Sequence, residues 1–96
     1  MELIKMLNHD YQTRTLSFSL NGTTEMITNV DKHFNEVTYF LSANPSTKLV
    51  IDFSFNIPRE NNEEAHYILR QLKTDNYYLI SVDAFQNLLK SSPTNN

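Results

Sequence analysis

The chain has 96 residues, 8 basic against 11 acidic side chains for a formal charge of −3, one glycine and no cysteine. That length suits a single small domain over residues 1–90, just under the roughly 100–150 residues at which domains cluster. Lacking cysteine, it has no disulfide, thiolate metal site or cysteine nucleophile. With no basic stripe it is also a poor candidate for binding nucleic acid.

In chain order, residues 2–7 (Glu-Leu-Ile-Lys-Met-Leu) read as a strand. Their apolar run is too short for a secretory segment, and nothing approaches the roughly 18 apolar residues of a membrane span. The expectation is therefore a cytoplasmic protein with no membrane partner. Asn8 to Gln12 has turn composition. Residues 14–20 alternate Leu16, Phe18 and Leu20 against Thr15, Ser17 and Ser19, the period of a half-buried strand, and should form a hairpin with 2–7. Asn21-Gly22 is itself a hairpin signal. Pairing 14–20 with 23–28, however, would set Glu25 on the face of Leu16, Phe18 and Leu20, so the dipeptide is read as a turn leading out towards a helix.

That helix is expected over 30–43, from the capping pattern Thr28-x-x-Asp31 and the stripe Val30, Phe34, Val37, Leu41. Lys48 to Phe55 follows as a strand with Leu49, Ile51, Phe53 and Phe55 on one face. Pro58 can open a second helix over 59–73, striped by Ala65, Ile68, Leu69 and Leu72. Tyr77 to Ile80 is a short strand, and Ser81 caps a last helix that turns Val82, Phe85, Leu88 and Leu89 inward. Ser91 to Asn96 is a polar tail. The fold class expected is α/β in the order β-β-α-β-α-β-α, a four-stranded mixed sheet packed against helices.

Sites for chemistry are sparse. His9-Asp10 resembles a metal-binding dipeptide but falls in the expected turn, and Glu63-x-x-His66 is half of a di-metal pattern that needs a second such pair and two more glutamates. One glycine cannot build a phosphate loop. Ser54, His66 and Asp52 have the residue types of a catalytic triad but no nucleophile elbow. The expectation is no enzyme, no metal and no cofactor. Of the tyrosines, Tyr11, Tyr39, Tyr67 and one of Tyr77 and Tyr78 are candidates for exposed contact roles.

The hairpin ending in Leu16-Ser-Phe-Ser-Leu-Asn-Gly22, the strand Val50-Ile-Asp-Phe-Ser54 and the closing Tyr78-Leu-Ile-Ser81 with its helix together resemble the STAS domain of anti-sigma-factor antagonists. The resemblance implies a non-enzymatic regulatory module that docks onto a partner protein. The family's phosphorylatable Asp-Ser-Ser/Thr-Gly is missing, because Asn56-Ile-Pro-Arg-Glu-Asn-Asn62 stands in its place. The candidate partner-binding residues are Asn56, Arg59, Glu60, Asn61 and Asn62, at the carboxyl end of the central strand, where open α/β sheets place binding surfaces. Two alternatives stand beside this one. Tyr77 to Leu89 also resembles the closing strand and helix of restriction-endonuclease-like folds, here as an inactive remnant, and small size fits a phage- or mobile-element-encoded inhibitor. The polar face of 14–20 is either solvated or meets a second subunit in a homodimer.

Overall fold

A computed structural model describes residues 1–41, 44–60 and 62–91. Seven strands and one helix follow in order: β1 (Glu2–Asp10), β2 (Thr15–Leu20), β3 (Thr23–Ile27), β4 (Asp31–Leu41), β5 (Asn44–Arg59), β6 (Asn62–Gln71), β7 (Tyr77–Ser81) and α1 (Val82–Ser91). They form one sheet in the order β3-β2-β1-β7-β6-β5-β4, and every neighbouring pair is antiparallel. This overturns the α/β expectation and with it the resemblance to a STAS domain. Among the described residues strand and helix do not alternate, and the single helix comes last.

The sheet must curl. Its two edge strands, β3 and β4, are consecutive in the chain and joined only by residues 28–30. Laid flat, seven strands would hold those edges about 29 Å apart at ~4.8 Å per spacing. Four steps of extended chain reach about 14 Å at most. Contacts across the concave side agree. The Val30 amide donates to the Arg14 carbonyl (3.0 Å), Arg14 forms an ion pair with Asp31, and the Phe18 and Phe55 rings lie 6.4 Å apart although β2 and β5 are not neighbours. The interior of the curl is a core of Ile4, Leu16, Phe18, Val30, Phe53, Phe55, Ile68 and Leu79. Over the convex face α1 lies against β6 and β7 and seals a second core of Leu49, Ile51, Leu69, Ile80 and Phe85. The Ser81 hydroxyl accepts the Ala84 amide proton (3.1 Å), the N-cap expected of it.

Two expected helices are strands. The segment 30–43 is β4 as far as Leu41, with 42–43 outside the described residues, and 59–73 is largely β6. Ile68 and Leu69, assigned to one helical stripe, point to opposite cores. Because β6 is covered on both faces, its apolar run does not alternate and is compatible with either structure. Pro58 sits inside β5, paired with Glu63. The ladder to β4 begins only at Ser54, so the missing amide of Pro58 falls where β5 has a neighbour on one side.

Asn21-Gly22 is a hairpin turn after all. Both residues have positive φ (52° and 80°), and Phe18 pairs with Glu25 in the register the charge argument rejected. Glu25 is tolerated there because β3 is an edge strand, where a carboxylate reaches water past the apolar face. Among the described residues no helix is long and apolar enough to cross a membrane. The polar tail from residue 92 onward lies outside them.

Candidate functional site

Two β-bulges place unlike side chains in one concavity. In β1 the register slips between Met6 and Asn8, which makes Leu7 an extra residue against β2. Side chains otherwise alternate, so a single insertion reverses the parity of everything beyond it. Ile4 and Met6 face the concave core before the bulge, and His9, the partner of Leu16, faces it afterwards. In β5 the slip falls between Ile51 and Phe53, with Asp52 as the extra residue. Leu49 and Ile51 therefore join the convex core, whereas Phe53 and Phe55 join the concave one. The single four-residue face read from the sequence is in fact split between the two sides of the sheet.

Together the bulges bring the His9 ring to 4.8 Å from that of Phe53, edge to face, although β7 and β6 separate their strands. Around this contact lies an open cleft of about 440 Å³, walled by β1, the β1–β2 turn, β4, β5, β6, the β6–β7 turn and β7. Its floor holds Asp52, which is 4% exposed and accepts hydrogen bonds from Arg70 Nε (2.9 Å) and Nη2 (3.5 Å). The opposite carboxylate holds the Arg70 guanidinium proton more tightly than usual, chiefly through the hydrogen bond. Asp75 adds a longer contact to Arg70 Nη1 (3.7 Å). Tyr77 closes the floor, its hydroxyl pushed above the ordinary phenol range by burial and by Asp52.

The rim is aromatic and cationic. Lys32 Nζ donates to the Tyr11 hydroxyl (2.8 Å) and stands 4.8–5.8 Å from the ring centroids of Phe34, Tyr11 and Phe53. Phe34 and Tyr11 are about two-thirds exposed. The His9 ring lies 4.0 Å from that of Tyr11, tilted by 52°, and its Nδ1 is buried without a hydrogen-bond partner. Burial and, after it, the Lys32 charge hold the His9 imidazole below the usual histidine range, against an upward pull from Asp10.

The sequence-derived candidates lie elsewhere. Arg59 and Asn62 are the last register pair of the β5–β6 hairpin, Glu60 turns the chain with φ 48°, and Asn61 lies outside the described residues. Arg59, Glu60 and Asn62 belong to a hairpin tip instead of the carboxyl edge of a parallel sheet. Asn56 lies farther down β5, opposite Ala65, and lines a second cleft of about 320 Å³. In that cleft His33 Nε2 and Ser54 Oγ share a hydrogen bond (2.7 Å). The triad types Ser54, His66 and Asp52 do not meet. Ser54 partners His33, Asp52 partners Arg70, and His66 stacks on Phe55 with Nδ1 at 3.0 Å from the Glu64 carbonyl. Glu63 and His66, an odd number of residues apart on a strand, project to opposite faces. Among the described residues no three His, Asp or Glu side chains gather as a metal would require.

Of the cleft residues, the sequence marks Tyr11 and one of Tyr77 and Tyr78 as exposed contacts, offers His9 and Asp52 for other chemistry, sets Phe34 in the stripe of an expected helix, and gives Lys32 no role. A charged residue within an apolar strand, Ile51-Asp52-Phe53, was the available signal, but ordinary alternation accounts for it equally well.

Comparison of the chain with protein-family models, with curated proteins and with solved structures finds no match. The class of protein is therefore set by its own geometry: a curled antiparallel sheet, sealed by one helix on its convex side and open at a polar, aromatic-rimmed cleft on its concave side. The regulatory docking role inferred from the STAS resemblance falls with that fold, and no family match supports another protein-interaction identity.

Proposed function

We propose that the protein binds a small molecule in the concave cleft and does not transform it. The observation that carries this reading is the convergence of two independent bulges, at Leu7 and Asp52, on one concavity. Each bulge costs ladder hydrogen bonds, and such features recur where a side chain must be re-aimed at a site. The volume of about 440 Å³ falls within the usual range of ligand clefts. The rim offers flat rings to an apolar body, while the floor offers a fixed pair of opposite charges. Asp52 is held by Arg70 and the Tyr11 hydroxyl by Lys32, commitments that favour binding over turnover.

The test is a titration with N-phenyl-1-naphthylamine, a flat neutral fluorophore, followed by amide chemical-shift mapping. The chain has no tryptophan to mask its emission. Saturable binding should move the amides of Leu7 to Tyr11, Lys32 to Phe34 and Asp52 to Phe53 together. Shifts confined to the hairpin tip or to α1, or no saturable binding, would remove the proposal.

A further inference from the structure

We infer that the ligand of this cleft is a small acid, a flat apolar body bearing one carboxylate or sulfonate group, and that the acid seats on Lys32. The inference rests on the binding reading above and names the class of ligand. Its basis is how the charges of the cleft are paired. The lining holds two cations, Lys32 and Arg70, and two anions, Asp52 and Asp75. Both anions are engaged by Arg70, at 2.9 and 3.7 Å. Beyond the cleft, Arg14 pairs with Asp31 and Lys48 with Glu36. Among the described residues Lys32 has no carboxylate partner.

Its surroundings hold the ammonium in place without neutralising it. The electron-rich rings of Phe34, Tyr11 and Phe53 attract it. One of its three N–H donors goes to the Tyr11 hydroxyl, and the other two remain for a ligand. A monoanion there gains charge-assisted hydrogen bonds. Asp52 and Asp75 in the same lining disfavour a second negative charge, so a dianionic phosphate is the poorer fit. The exposed rings of Phe34 and Tyr11 beside the ammonium supply the surface for the apolar body.

The experiment pairs two probes with one body: 1-anilinonaphthalene-8-sulfonate, an anion, and N-phenyl-1-naphthylamine, its neutral counterpart. Each is titrated into the full chain and its Lys32→Met, Lys32→Arg and Lys48→Met variants, with melting temperatures recorded alongside. The expected result is that Lys32→Met weakens the sulfonate at least tenfold and leaves the neutral probe within twofold. Lys32→Arg should hold most of the sulfonate affinity, and Lys48→Met should change neither. Sulfonate binding should also raise the pKa of the His9 ring, followed by NMR, because it cancels the Lys32 charge; the neutral probe should not. If the sulfonate is indifferent to Lys32→Met while the neutral probe still maps to the cleft, the acid anchor is wrong and the binding reading stands. Equal loss of both probes would make Lys32 a prop for the rings and overturn the anchor. Failure of both probes to bind the unmodified protein would overturn the binding reading itself.

Discussion

Replacing Arg70 by methionine should be the most damaging single change at the cleft. The Asp52 side chain is 6% exposed and its described partner is Arg70, itself 26% exposed. Without the guanidinium, the carboxylate keeps its burial and loses its compensation. Breaking a buried pair in this way costs about 3–5 kcal/mol. The cleft is open to water, so the lower end, about 3 kcal/mol, is expected. For a chain of this length each kcal/mol moves the melting temperature by about 4–8 °C, so Arg70→Met should melt about 12–24 °C below the parent. The control is Asp52→Leu combined with Arg70→Met. Removing both charges leaves nothing buried and unpaired, and such replacements are often neutral or stabilising. The double variant should recover most of the loss, as followed by circular dichroism on heating and by urea unfolding. A loss below about 1 kcal/mol for Arg70→Met, the value of an exposed pair, would refute the placement of Asp52 on the cleft floor. So would a double variant no more stable than the single.

Two further outcomes follow from the same geometry. Because His9 is held below its ordinary pKa, the unfolded chain takes up that proton first as pH falls below about 6.5. Its contribution to stability is full above that value and is lost as pH falls towards the lowered folded pKa. The melting temperature of His9→Gln should therefore depend less steeply on pH between 7.5 and 5.5 than that of the parent, and parallel curves would contradict the buried setting of the ring. Ser81→Ala should cost about 0.5–2 kcal/mol in urea unfolding by exposing the first turn of α1, and an unchanged midpoint would mean that the cap seen at Ala84 adds nothing.

Legibility in the sequence tracked how each strand is covered. Residues 14–20 alternate because β2 is buried on one face only, and they are a strand in both readings. Ser81 could be recognised as a cap because capping is local chemistry. Tyr67-Ile68-Leu69 could not be assigned by periodicity, since β6 faces a core on each side. Val30, just before β4, and Phe34, Val37 and Leu41 within it happen to repeat at helical spacing. The run Val37-Thr38-Tyr39-Phe40 was the better guide, because β-branched and aromatic side chains favour a pleated backbone. The cleft was hidden for a different reason. Its residues come from five strands and two turns, and two of them point inward only because an inserted residue upstream reverses their parity. A bulge leaves no mark in composition, and neither does the curl that a three-residue connection between the two edges imposes.

That curl, and the convergence of the two bulges inside it, is the central claim. It is tested most directly by a proton NOE measurement between the rings of His9 and Phe53 in selectively labelled protein. With ring centroids 4.8 Å apart, strong cross-peaks are predicted. In a flat sheet of the same strand order, β1 and β5 stand three spacings, or about 14 Å, apart. At that distance no cross-peak forms, and its absence from the folded protein would contradict the account.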